Sequence, residues 1–531
     1  MTKSKRYAIA LTAALGLIMG VLDNTIINIA LIPISNALKV DLSTVQWLVT
    51  GYFLSQAAVI PIAGYFSNRF GARRIFIASI VLFTLGSLLC GMAQDATLLI
   101  IFRVFQGVGA GALFPVGQTL AIDPFPAKER AGAMAIIGIP ILLAPVFGPI
   151  LGGWLNDSFG WQYLFLVNVP VGVVTVALTL LIIPKDKPIT EQSRTGLDYV
   201  GLVLSTLGVL AIVYAFTVVN EINPATRSAL NPRGEAYGWG YWLVWALAGV
   251  GVVILVAFAL YELKVSRDPV LDLRLFKNYN YTIASLVSWV LGATVFGSLL
   301  LLPVFLQQVR LPHLTALETG LALMPQGLGA IVGMGLTGPL YNRLGVRNMT
   351  LAGGVILVFA LWQLTTLTPT TDGWSMAPWN VLLGLGLGLT MMPVQTLAMQ
   401  TLRGPALAKA TSLFNVTRQI SSSIATAIII TLLVQQTNSH FSQLQAEAMR
   451  NVPAGVTPDP NNPQFAQAIQ QMAAQAGTSA NNDVFLILAI GTVLLLLIAL
   501  ALPSRRKQAE MSAAIEEGEE QAAREPMISL G

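Results

Sequence analysis

Charged side chains are scarce in this chain: only 10% of its 531 residues are Asp, Glu, Lys or Arg. An ordinary soluble domain carries roughly a quarter. Cysteine is nearly absent. Cys90 stands alone in an apolar run, so neither a disulfide nor a cysteine metal cluster is available. The two histidines, His313 and His440, are isolated from any nucleophile, and no catalytic constellation is evident. The glycine-rich lysine loop that cradles nucleotide phosphates is missing too, which excludes ATP as an energy source. The chain therefore reads as neither an enzyme nor a metal or cofactor protein. What remains is hydrophobic: 55% of the residues, with a mean hydropathy of +0.70. Most of the chain is expected to face lipid.

A spanning helix needs about 20 mostly apolar residues. Fourteen runs meet that length, near residues 8–34, 46–66, 75–94, 98–121, 131–152, 162–183, 197–218, 240–261, 280–306, 318–340, 349–369, 377–401, 410–434 and 484–503. The first, from Tyr7, is longer than a signal core and lacks a small-residue cleavage site, so it is expected to remain as a spanning helix. An even count puts both termini on one side. Of the 30 Lys and Arg, 23 fall on that side, only Lys39, Arg227, Arg233, Arg310 and Arg450 on the other, and Arg103 and Arg418 within helices. Cytoplasmic loops attract positive charge, so both termini are expected inside. Topology thus accounts for the net charge of +5 without a nucleic-acid partner.

An internal repeat divides the chain. Gly64 to Arg74, GYFSNRFGARR, returns 274 residues later as Gly338 to Asn348, GPLYNRLGVRN, each copy joining two apolar runs. Helices 2 and 3 then match 10 and 11, giving two equivalent six-helix bundles with helices 7 and 8 inserted between them. The expected units are residues 1–184, a linker with helices 7 and 8 over 185–278, a second bundle over 279–503, and a cytoplasmic tail, 504–531, expected to be disordered where it turns acidic. One long outer loop, 435–482, shows helical periodicity at Phe441, Leu444 and Ala448 and again at Phe465, Ile469, Met472 and Ala476. Two short amphipathic helices on the outer mouth are expected there, as a structural cap, a substrate gate or a docking surface.

Four motifs in order resemble the major facilitator superfamily, and within it the fourteen-helix drug:proton antiporters such as the EmrB-like and QacA-like exporters. Leu22 to Leu31, LDNTIINIAL, is similar to that branch's helix 1 signature. The repeated loop is similar to motif A, G-x-x-x-D-R-x-G-R-R; its expected gating residues are Gly64, Asn68, Arg69, Gly71 and Arg73, then Gly338, Asn342, Arg343, Gly345 and Arg347. Arg103, Gln106 and Gly107 in helix 4 are similar to motif B, and Ala144 to Gly153 in helix 5, with Pro145, Gly148 and Pro149, to the antiporter motif C. The resemblance implies an all-α membrane transporter of the cytoplasmic membrane, exporting amphipathic small molecules against protons by alternating access. The outer loop 435–482 is the expected meeting point for a periplasmic adaptor if the host has an outer membrane. Both copies of motif A carry Asn where the family has Asp, which removes the usual charge relay. Asn68 could still cap the start of helix 3 through neutral hydrogen bonds.

Asp23 is the only carboxylate deep within a predicted helix. A charge near the bilayer centre costs about 2.5–3.5 kcal/mol on insertion scales. Helix 1 starts near Tyr7, so Asp23 lies about 24 Å along it, near the midplane. Arg103 lies a few residues into helix 4 from its outer end, within reach of Asp23. Burial favours the neutral carboxyl and the guanidinium favours the carboxylate. A switch between these environments is what a proton carrier requires; an ion pair that only locks helices 1 and 4 is the structural alternative. Arg418 lies about 12 Å from the inner end of helix 13. Either helix carbonyls and Gln419 satisfy it, or it touches a polar part of a substrate.

Gly107 and Gly111 put a flat surface on helix 4, and Gly384 and Gly388 repeat it about 277 residues later. Such surfaces permit close packing and sliding alike. Pro145 and Pro149 remove backbone donors and are expected to bend helix 5. The candidate substrate contacts are neutral and polar or aromatic: Asn24, Asn28, Tyr52, Gln56, Gln118, Trp289, Gln326, Gln395 and Asn415, with Arg418, beside the adaptable Met324, Met391 and Met392. Taken singly, each is more often helix-helix packing than a ligand contact; together they suit amphipathic ligands. A dedicated exporter of an endogenous metabolite, antibiotic, siderophore or lipid stays open, as does a non-transporting sensor or scaffold, which would leave Asp23 and Arg103 without a use.

Overall fold

A computed structural model describes residues 2–40, 42–126, 129–186, 198–219, 221–223, 225, 235–265, 269–402, 404–450 and 463–510. The side chains of Asn28, Pro145, Pro149 and Asn342 lie outside what is described, as do residues 511–531 of the tail. Helices dominate; among the described residues the one sheet is an antiparallel pairing of Ile222–Asn223 with Glu235–Ala236 in an outer turn. The first bundle holds α1 (Lys3–Leu38), α2 (Leu42–Phe70), α3 (Ala72–Met92), α4 (Ala96–Ile122), α5 (Arg130–Phe159) and α6 (Tyr163–Ile182). The inserted pair is α7 (Tyr199–Val218) and α8 (Trp242–Lys264). The second bundle holds α9 (Tyr279–Val304), α10 (Leu317–Tyr341), α11 (Arg343–Thr366), α12 (Ala377–Met399), α13 (Gly404–Arg450) and α14 (Pro463–Ala499). Among the described residues 13 helices are long and apolar enough to cross a membrane. The remaining expected span, the fifth, is the 30-residue helix α5.

Local chemistry sets the boundaries. Helix starts leave backbone N–H groups unpaired, and short polar side chains take them up. Asp95 accepts from Leu98 N at 2.9 Å to start α4, and Asp198 from Gly201 N at 2.8 Å to start α7. Thr315 and Glu318 form a reciprocal capping box before α10. The outer loop differs from expectation. Its two periodic stretches are not separate short helices but continuations of α13, 47 residues long, and α14, 37 residues long. The inserted pair packs through α7 against both α2 and α13, one helix from each bundle. Thr206 donates to the Ala58 carbonyl of α2 at 3.3 Å, and the Trp239 indole donates to Thr431 of α13 at 2.7 Å.

The repeated loop makes the same turn twice. Gly71 has φ 98° and Gly345 has φ 80°, a left-handed backbone that favours glycine. In each copy the helix beyond the turn is capped by a residue just past the last helix of its own bundle. The Asp186 carboxylate accepts from the backbone N–H groups of Arg73 and Arg74 at 3.0 and 3.1 Å. The Gln508 amide oxygen accepts from Val346 N at 2.8 Å. Asp186 thus supplies a cap on α3 that the sequence motif does not contain; a carboxylate there also faces the positive end of the helix.

Candidate functional site

Four helices of the first bundle close around Asp23. Its Oδ2 meets Nη1 of Arg103 at 2.5 Å. Its Oδ1 accepts from the side-chain amides of Gln106 at 3.0 Å and Asn168 at 2.9 Å. Arg103 also donates through Nη1 to Gln106 Oε1 at 2.8 Å and through Nε to the Leu48 carbonyl at 3.2 Å. Asn168 donates in turn to Ser87, whose hydroxyl donates to the Phe165 carbonyl. The guanidinium stacks 4.2 Å from the centre of the Tyr52 ring, with Phe165 on another side. Asp23 is 2% exposed and Arg103 is fully buried. An ion pair so far from water persists only where further hydrogen bonds satisfy both partners. Two groups are left over: among the described residues Arg103 Nη2 and the Tyr52 hydroxyl have no hydrogen-bond partner.

Sequence reasoning brought Asp23 and Arg103 together but placed Tyr52 in the cavity. In the structure Tyr52 is buried with its ring against Arg103, while Gln56, one turn further along α2, is half-buried. Gln106, named in the sequence only as part of motif B, lies three residues after Arg103 on the same helix face and joins the pair; Asn168 and Ser87 carry no comparable signal in the sequence. At the position of Arg103 in the second bundle, buried Asn380 donates to the Ala322 carbonyl at 3.1 Å.

The two bundles meet along a polar seam. Gly64 N donates to Ser412 Oγ at 3.0 Å, and Ser412 donates to the Ile60 carbonyl at 2.7 Å. Thr119 and Thr411 hydroxyls lie 2.7 Å apart. Asn415 donates to Gln118 Oε1 at 3.0 Å and accepts from Arg418 Nη2 at 3.0 Å. Arg418 also lies 5.5 Å from the Phe114 ring centre. Arg130 donates to the Met399, Gln400 and Leu402 carbonyls. All these bonds lie in the half of the molecule that loop charge places toward the cytoplasm. Gln118 and Asn415, expected singly as cavity contacts, are here buried and bonded to one another, and Arg418 is held by Asn415 rather than Gln419.

The remaining candidates are dispersed. Trp289 is 37% exposed, with its carbonyl accepting from Ser421. Asn24 and Gln56 are half-buried. Gln326 and Gln395 are buried, and Gln395 Nε2 has no hydrogen-bond partner among the described residues. Among the motif A residues, Asn68, Arg69 and Arg347 are half-buried, Arg343 is exposed, and Arg73 donates to the Leu180 carbonyl at 2.7 Å. In motif C, Gly148 lies against Thr25, which donates to the Ala144 carbonyl at 3.1 Å and draws α5 onto α1. No group of three or more His, Cys, Asp or Glu among the described residues could hold a metal.

The sequence pattern of the Major Facilitator Superfamily matches residues 13–426. The chain belongs to that superfamily. It is a multi-pass transporter of small substrates in the cytoplasmic membrane, not an enzyme. It is 36% identical over 423 residues to a multidrug resistance protein B homolog of Mycobacterium tuberculosis, covering 79% of this chain and 75% of that one. It is 32% identical over 506 residues to the multidrug export protein EmrB of Haemophilus influenzae, covering 92% and 94%. Among solved structures, the proton:xylose symporter XylE bound to 6-bromo-6-deoxy-D-glucose aligns with a TM-score of 0.59 at 13% identity, over 95% of this chain and 97% of that one. That last likeness is one of fold.

Proposed function

We propose that this transporter exports amphipathic drug-like molecules in exchange for protons, with Asp23 as the proton-carrying group and Arg103 as its partner. The observation that carries the reading is the sealed Asp23–Arg103 pair. In this state the carboxyl oxygens accept from Arg103, Gln106 and Asn168, three side chains on two other helices. Taking up a proton removes the attraction to Arg103 and leaves the Gln106 and Asn168 amides competing for a weaker acceptor. The carboxyl can then separate from the guanidinium, and α1 and α4 are free to shift. Reforming the pair on release of the proton reverses the shift. The relatives named as multidrug exporters support a drug-like cargo. Gln326, Gln395, Trp289 and Arg418 are the side chains we assign to it, since they lie outside the Asp23 network. The extensions of α13 and α14 are the surface an extracytoplasmic adaptor would meet.

Replacing Asp23 with Asn keeps the shape and most of the hydrogen bonds. Inverted membrane vesicles holding the Asp23→Asn protein should bind an amphipathic fluorescent dye but fail to accumulate it when an inside-acid gradient is imposed. Accumulation at the parental rate would remove Asp23 from the coupling step.

A further inference from the structure

Most of the seam bonds are single contacts between neutral groups, whereas Arg130 is a cation with several acceptors. It is the first residue of α5 and is fully buried. Its guanidinium donates through Nη1 to the carbonyls of Met399 and, at 3.1 Å, Gln400, and through Nη2 to the Leu402 carbonyl at 2.8 Å. Nε reaches back to Phe125 of its own bundle at 3.5 Å. Met399 is the last residue of α12, where helix carbonyls lack intrahelical partners and the helix dipole is negative. A cation belonging to the first bundle thus caps a helix belonging to the second. The contact is tied to the repeated loop as well: Tyr341, in its second copy, donates to the side-chain oxygen of Gln400 at 3.2 Å.

We propose that Arg130 is the releasable latch of the inner gate, a positioning residue that holds the carbonyl end of α12 against the start of α5 until the cytoplasmic side opens. The chemistry suits repeated making and breaking. Closed, one planar fork satisfies three carbonyls from the other bundle at once. Open, water replaces each of them, so neither the cation nor the carbonyls are left dry. A lysine would keep the charge but not the fork.

The test uses the full-length protein in inverted vesicles, with Cys90 replaced by Ala and Thr119→Cys as a reporter buried at the seam. A membrane-impermeant maleimide reaches this thiol only when the cytoplasmic side opens. Arg130→Gln should raise the labelling rate about tenfold, the scale expected for losing charge-assisted hydrogen bonds, and Arg130→Lys should raise it less. Labelling of both variants at the parental rate would overturn the latch. If Arg130→Gln does not fold, Arg130→Lys alone decides, and its unchanged labelling would overturn the latch. The assay needs neither drug nor proton gradient, so its failure is separable from a failure of Asp23 as the coupling group.

Discussion

At Tyr52 the ring and the hydroxyl do different things. The ring faces the Arg103 guanidinium at 4.2 Å, while the hydroxyl is buried without a partner among the described residues. A desolvated cation–π contact is worth about 2 kcal/mol, whereas an unpaired hydroxyl contributes nothing favourable. Tyr52→Phe should therefore leave the thermal unfolding temperature of the purified protein at or slightly above the parental value. Tyr52→Ala should lower it by several degrees; equal effects of the two would refute the stacking role. The same residue marks how far single side chains could be read from sequence. Asp23 and Arg103 were legible because a charge inside an apolar helix has no cheap explanation. Asn168 and Ser87 were not, because neutral polar groups on spanning helices usually bond to a neighbouring helix and nothing local says which neighbour. Only folding brings Asn168 of α6 onto a carboxylate of α1, 145 residues away in sequence.

Helices meet through their glycines, and the glycines are not equivalent. A Cβ at Gly107 would lie 2.6 Å from the Tyr52 carbonyl oxygen, and one at Gly384 would lie 2.7 Å from Ala330 N. These are backbone atoms that cannot swing aside. Gly107→Val and Gly384→Val should each destabilise the protein by about 1–3 kcal/mol, the usual penalty of overpacking. Gly335 and Gly491 have open space where a Cβ would go. Ala at either should be neutral or stabilising by up to about 1 kcal/mol. Thermal unfolding of the four variants side by side checks the contrast, and a uniform effect would contradict it. The caps give a second comparison: Asp186→Ala and Gln508→Ala each remove an acceptor from a helix start, worth about 1 kcal/mol. Hydrogen exchange at the first turns of α3 and α11 should rise in the matching variant only. Helix existence was readable throughout from run length. The periodicity at Phe441, Leu444 and Ala448 marks a helix in the outer region but does not show that it continues α13. Ala and Gln are good helix formers, and no proline or glycine interrupts residues 435–450.

For the molecule as a whole, the repeat made two bundles legible and run length the even helix count, but neither carries the state in which the bundles are held. That state depends on contacts between residues some 300 positions apart, such as Gln118 with Asn415, and periodicity along a chain carries no information about them. Thr119 and Thr411 offer a direct check, with hydroxyls 2.7 Å apart across the seam. Joined as a Thr119→Cys, Thr411→Cys disulfide in a chain lacking Cys90, they should stop transport, and reduction should restore it. Transport that continues under full cross-linking would mean the seam never opens. The length of α13 has a mechanical consequence. At 1.5 Å per residue its 47 residues run about 70 Å, more than twice the roughly 30 Å hydrocarbon layer. It is a lever with its fulcrum in the membrane. A tilt of the second bundle too small to resolve at the seam becomes a displacement of several ångströms at the outer tip, braced by the His440–Asp483 pair at 2.7 Å between α13 and α14. Probes on that tip would register the angular motion of a whole bundle with a built-in gain.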